Sequence, residues 1–230
     1  MSIAENILEF KGKLPQNVLL VAVSKTKPNE DLLEAYRAGQ RVFGENKIQE
    51  LIKKYDELPK DIIWHFIGHL QTNKVKYLVP FVDLIHAVDS LKLLETINKE
   101  AKKINRKISC LLQLYIADED TKFGLDFEEL RTILSSEFYK ELQTDQNAGV
   151  QIAGLMGMAT YTYDNEQINS EFAYLKNCFD KLKLEFFKDD DNFKELSMGM
   201  SGDYEIAINQ GSTMVRIGST IFGERNYKKI

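Results

Sequence analysis

Cysteine is scarce here: two thiols in 230 residues, Cys110 and Cys178, with no Cys-x-x-Cys spacing. That argues against a disulfide framework and against a thiolate metal site, and leaves both as reduced structural residues. Proline is also rare, at four residues, and no Pro-, Gly- or Ser-rich stretch divides the chain, so nothing marks a linker. Basic charge is not in excess, since 30 Lys and Arg face 35 Asp and Glu for a formal net charge of −5. A nucleic-acid or anionic-membrane partner calls for a concentrated basic face, so neither is expected. No apolar run approaches the roughly 20 residues of a bilayer span. The opening MSIAENILEFKGKLP also lacks the apolar stretch of a secretory signal. The cytoplasm is the expected compartment and a small molecule the expected partner. His65 and His69 stand four apart, but on a predicted strand and the loop after it rather than on one helix face, and no His-Glu-x-x-His motif or Cys cluster joins the three histidines, so no metal is expected.

What is present is a 43% hydrophobic chain, enough for a full core in one domain spanning 1–230. Short apolar, β-branched runs recur, each followed by a longer amphipathic stretch, the pattern of a parallel sheet with crossover helices. Strands are read at 17–24, 41–44, 62–67, 84–88, 109–116, 151–158, 195–199 and 213–217. Eight strands predict an α/β fold, a single (β/α)₈ TIM barrel. An additional helix lies within 1–14, before strand 1. The stretch 31–39 puts Leu32, Leu33 and Tyr36 on one helix face and closes at Gly39. Segments 128–142 and 166–186 supply the longest outer helices, and the charge run 188–191 reads as a surface connection.

In such a barrel, function gathers just past the C-terminal ends of the strands. Lys25 follows VLLVAVS, with Val21 and Val23 on its side of the strand. An ammonium is costly to bury, so a lysine there points either to a covalent role or to a structural ion pair with a carboxylate such as Glu45. Lys27, before Pro28, is the second-ranked amine. After strand 7, Ser201 offers a hydroxyl at the start of a helix; after strand 8, Gly218 and Ser219 offer bare backbone and a second hydroxyl. Together they form the usual phosphate site of this architecture. The alternative is a helix N-cap at Ser201 and a tight strand end at Gly218. Arg216 alternates with Val215 and Ile217 and so faces the interior, where it needs an acceptor. The choice lies between a carboxylate, favoured by the pairing of buried charge, and a ligand ring nitrogen. Asn46 and His65 end strand 2 and lie on strand 3, within reach of a ligand if they point inward. His69 falls in the following loop, His86 on strand 4, and Lys122 in a loop after strand 5.

The ordered motifs VAVSKTKP (21–28), FGEN (43–46), WHFIGHLQTNK (64–74), KFG (122–124), GLMGMA (154–159), SMGMSGDYE (197–205) and GSTMVRIGSTIFGERNY (211–227) cover nearly the whole chain. In these the sequence resembles the pyridoxal phosphate homeostasis proteins, the YggS/PROSC group. The resemblance implies a monomeric fold-type III barrel related to the alanine racemase N-terminal domain. It implies pyridoxal 5′-phosphate held as a Schiff base on Lys25, its phosphate at Ser201, Gly218 and Ser219, and Arg216 near the pyridine nitrogen. Position 219 is serine where threonine is frequent, which keeps the hydroxyl.

Two classes of function follow. One is a carrier that binds the cofactor reversibly and governs its level or its delivery to pyridoxal-phosphate-dependent apoenzymes, with no catalytic residue of its own. The other is an amino-acid racemase, which needs acid/base groups on both faces of the substrate carbon. The sequence ends soon after strand 8, without the second domain that supplies the opposing group in alanine racemase, so the carrier is the expected reading. A phosphate-binding barrel enzyme that uses Lys25 toward a carbonyl substrate is the third.

Overall fold

The computed structural model describes residues 1–119 and 123–224; Lys122 lies outside them. Its strands are β1 (Leu19–Val23), β2 (Val42–Glu45), β3 (Ile63–Phe66), β4 (Leu84–Val88), β5 (Ile108–Gln113), β6 (Val150–Met156), β7 (Glu195–Ser197) and β8 (Met214–Ile217). They form a closed parallel barrel in chain order, so the fold is the (β/α)₈ barrel that the alternating pattern predicts. The closing pair runs from Leu19↔Met214 to Ala22↔Ile217.

Before the barrel, α1 (Ile3–Lys13) starts at a reciprocal cap: Ser2 Oγ accepts from Glu5 N, and the Glu5 carboxylate accepts from Ser2 N. It lies against the barrel's last element, Asn6 donating to Ile221 O at 2.9 Å. Then come α2 (Asn29–Arg37), closed by Gly39 at φ +86°, and α3 (Ile48–Glu57). The short α4 (Val75–Leu78) and α5 (Leu91–Lys102) follow. The single helix expected over 128–142 is two, α6 (Phe127–Ser135) and α7 (Glu137–Thr144). Ser136 breaks it by adopting an extended conformation and capping Tyr139 N with its hydroxyl. The ring ends with α8 (Asn165–Phe186), α9 (Tyr204–Asn209) and α10 (Ser219–Phe222). Among the described residues, no helix is long and apolar enough to cross a membrane.

Strand alternation sorts the apolar residues into two cores. Val21, Val42, Leu84, Leu111, Met156 and Met214 cluster together inside the barrel, while Phe43, Trp64, Phe66, Leu155 and Phe172 pack between strands and helices. Each such side chain contributes about 1.5–3 kcal/mol on full burial.

Between β5 and β6 the register slips by one residue, from Cys110↔Ile152 to Leu111↔Gly154, leaving Ala153 as an extra residue. Gly154 sits at φ +153°, and a Cβ there would lie 1.7 Å from the Glu195 carbonyl oxygen of β7. Gly154→Ala is therefore expected to lower unfolding free energy by more than about 2 kcal/mol, combining strain and a broken strand pair. Urea denaturation checks this, and a midpoint equal to that of the unsubstituted protein contradicts it.

Candidate functional site at the barrel mouth

Lys25 stands two residues past the end of β1, half-buried in a turn closed by Lys27 N donating to Ser24 O at 3.0 Å. The structural partner considered for Lys25 is engaged elsewhere. Glu45 shares the parity of Phe43 and faces the helices, where its Oε1 accepts from Lys54 Nζ at 2.7 Å and Ser24 Oγ at 2.6 Å. Lys27, the rival amine, donates to the carbonyls of Phe222, Gly223 and Glu224 at 2.6, 3.2 and 3.2 Å.

Because β8 closes on β1, the loop after β8 lies beside the Lys25 turn. A Cβ on Gly218 would approach the Val23 carbonyl at 3.3 Å, so glycine fits tightly against β1. Its N–H points to Ser201 Oγ at 3.4 Å, so the loops after β7 and β8 meet as the sequence predicts. The N-cap alternative for Ser201 does not hold, because Asp203 takes that place and accepts from Met200 N at 2.5 Å. Ser219 is exposed at the start of α10.

Inside, four polar side chains span the barrel. Arg216 Nη1 donates to Ser197 Oγ at 2.6 Å, Ser197 Oγ lies 3.0 Å from His86 Nδ1, and His86 Nε2 lies 3.0 Å from His65 Nδ1. Arg216 Nη2 donates to the Gly157 carbonyl at 3.1 Å. The carboxylate favoured as its acceptor is thus replaced by a hydroxyl and a carbonyl. Burial pushes the guanidinium down to about 10, leaving it cationic at neutral pH. Five N–H donors against two acceptors leave it capacity for a ligand atom. Burial also holds both histidines neutral, His65 pushed down to about 3 and His86 well below its ordinary value, the latter further by the charges of His65 and Arg216. With both rings neutral, each pair has one donor and one acceptor, and which atom donates follows from the ring tautomers: Ser197 Oγ can donate to His86 Nδ1 or accept from it, with the His86–His65 bond running accordingly.

The structure thus brings Lys25, Ser201 and Gly218 together around the β1–β8 seam, with Arg216 on β8 and His65 at the far end of the buried chain. Asn46 is half-buried past β2, its backbone against Gly68. His69 stands apart, its exposed ring 3.0 Å from Asp89 and stacked on Phe123. Sequence reasoning missed Ser197 and the part played by His86. Their signal was parity, since each stands on the inward side of its strand. Among the described residues no cluster of three or more His, Cys, Asp or Glu could hold a metal.

Residues 1–226 match the family model described as alanine racemase, N-terminal domain. A pyridoxal phosphate homeostasis protein of Aquifex aeolicus (strain VF5) is 42% identical over 220 residues, covering 95% of this chain and 92% of that protein. The chain belongs to the pyridoxal phosphate homeostasis protein family. The family member of Homo sapiens is 40% identical over 222 residues, covering 91% of this chain and 78% of its own length. PipY of Synechococcus elongatus PCC7942, in its structure with PLP bound, superposes at TM-score 0.84 and 36% identity over 96% of this chain and 100% of its own. An alanine racemase of E. faecalis, at TM-score 0.69 and 16% identity, shares the fold with this family member over 97% of this chain and 58% of its own.

Keeping His65 neutral has a pH signature. Its folded pKa lies below its unfolded value of about 6.5, so as pH falls the unfolded chain takes up the proton first. This contribution to stability is complete above that value and is lost toward about 3, at up to about 1.4 kcal/mol per pH unit. In paired urea titrations, the stability difference between the unsubstituted protein and His65→Asn should shift against the former below about pH 6.5. A pH-independent difference contradicts a neutral, buried His65.

Proposed function

We propose that this chain binds pyridoxal 5′-phosphate reversibly at the barrel mouth and serves cofactor homeostasis, as a carrier without robust catalysis of its own. The observation that carries the reading is the β1–β8 seam, which sets Lys25 beside the bare Gly218 backbone and the Ser201 hydroxyl. When bound, the cofactor would supply an aldehyde able to condense with a primary amine. Lys25 is the amine, and Ser201, Gly218 and Ser219 hold the phosphate through hydroxyl and N–H donors. Arg216 is the donor toward the ring nitrogen, and as a buried cation it disfavours a proton there, weakening the ring as an electron sink. Asn46 and His65 are the further polar groups offered to the cofactor. The residues fit the group on two counts: glycine backbone approaches closely where an anion would lie, and the buried guanidinium keeps donor capacity.

The relatives' names support a carrier over the racemase that the fold also suits. His86 supports it as well, since both of its ring nitrogens are already hydrogen-bonded, to Ser197 and to His65. The acting unit is the whole chain as one monomeric domain. Apoenzymes are its recipients and the cytoplasm its compartment, in keeping with two free, buried cysteines.

Borohydride reduction of the loaded protein, followed by peptide mapping, should place the cofactor mass on Lys25; a map showing it only elsewhere overturns the assignment. Ser201→Ala should weaken cofactor affinity by about tenfold, the loss of one phosphate hydrogen bond, with the thermal midpoint of the cofactor-free protein unchanged. An unaltered dissociation constant contradicts that contact. Loaded protein incubated with single-enantiomer amino acids in deuterated water should show no turnover-linked exchange at the α-carbon, whereas robust exchange favours the racemase.

A further inference from the structure

The two peptide groups that flank Lys25 are both held from α3. On the N-terminal side, Lys54 Nζ donates to the Ser24 carbonyl oxygen at 2.8 Å. On the C-terminal side, the Thr26 N–H donates to Glu50 Oε1 at 2.6 Å. The two side chains lie one helical turn apart and bond each other, Lys54 Nζ to Glu50 Oε1 at 2.7 Å. A third partner anchors the pair from the barrel wall: Glu45 Oε1, fully buried, accepts from both Lys54 and the Ser24 hydroxyl. Its other oxygen, Oε2, has no partner among the described residues, so removing Lys54 would leave a buried carboxylate without its counter-ion.

This arrangement acts on a strained point. Thr26 is β-branched and sits at φ +66°, a left-handed conformation that such residues rarely adopt without outside support. The support is a charge-assisted hydrogen bond from its own N–H to Glu50. Beyond the turn, Lys27 ties the chain to the carbonyls after α10. The backbone that carries Lys25 is thereby suspended between α3 and the segment following the Gly218 loop.

We infer that Glu50, oriented by Lys54, is a positioning residue for Lys25: by accepting from the Thr26 N–H it fixes the origin of the lysine side chain, and so the approach of its amine to the bound aldehyde. This rests on the reading of Lys25 under the proposed function. Glu50 acts through the peptide that follows Lys25, whose N–H it accepts from. The anion-binding loops after β7 and β8 do not depend on it, so bonding to Lys25 and retention of the phosphate should separate when it is changed.

The test compares the full chain with Glu50→Ala and Glu50→Gln. The side chain of Glu50 is partly exposed, so both variants leave the core intact, and the glutamine keeps an oxygen that can accept from Thr26. Two probes are used: pyridoxal 5′-phosphate, whose aldehyde can bond to an amine, and pyridoxine 5′-phosphate, which has an alcohol there and cannot. For Glu50→Ala, the rate of bond formation with saturating pyridoxal 5′-phosphate, followed by visible absorbance, should fall at least tenfold. Its dissociation constant for pyridoxine 5′-phosphate should stay within twofold. In the ligand-free protein, exchange of the Thr26 amide hydrogen should accelerate in Glu50→Ala. In Glu50→Gln both the rate and the protection should largely recover. A bond-forming rate in Glu50→Ala within twofold of the unsubstituted protein overturns the inference. So does a parallel loss of pyridoxine 5′-phosphate binding, or a glutamine variant as slow as the alanine one. If the unsubstituted protein binds the cofactor without bonding to Lys25, the underlying reading falls, and this inference with it.

Discussion

The closure of the barrel between its first and last strands is the constraint on which the site depends. Parallel pairing from Leu19↔Met214 to Ala22↔Ile217 fixes how far each strand runs before its loop begins. Three residues past that register, β1 delivers Lys25; one residue past it, β8 delivers Gly218. A one-residue slip would reverse the inward parity of Val21 and Arg216 and with them the chemistry of the mouth. The register is secured by outward residues such as Ala22 and Ile217 in the helix-facing core and by Val21 and Met214 in the inner one.

Within that frame, the barrel spends stability on polarity. Arg216 is a buried cation whose partners are a hydroxyl and a carbonyl, an arrangement weaker than a direct carboxylate pair and costly in desolvation. Beside it, two imidazoles are kept neutral by burial in a hydrogen-bonded chain that ends on Ser197, the acceptor from arginine. That cation also opposes protonation of His86. On the other side of the wall, the Glu45–Lys54–Glu50 cluster, buried at Glu45 and Lys54 and partly exposed at Glu50, bonds to the backbone on both sides of Lys25. Fixed polarity inside and fixed backbone outside both point to a pre-shaped mouth.

Much of this was legible from residue order. Short apolar, β-branched runs located the strands, and β4 matches its expected span residue for residue. Parity turned Arg216 inward, whereas Glu45, expected as a rim partner for Lys25, faces the helices and bonds Lys54 and Ser24. What sequence could not supply were partners brought in by other elements. Lys54 stands on α3 and reaches Glu45 only once that helix packs against β1 and β2. Ser197 and His86 are separated by 111 residues and meet only across the closed barrel. The break at Ser136 was hidden because apolar spacing continues across it, while a serine able to cap the following turn stops the helix. The loops after β7 and β8 were readable because glycine and serine at those places have few other uses, and here the Ser201–Gly218 contact follows from them.

The most direct test of the central claim is a crystal structure of the chain with pyridoxal 5′-phosphate. The account predicts density continuous from Lys25 Nζ to the cofactor, with the phosphate against the Gly218 N–H and the Ser201 hydroxyl and Arg216 facing the ring nitrogen. An empty mouth in crystals grown with saturating cofactor, or a phosphate seated away from the β1–β8 seam, would contradict it.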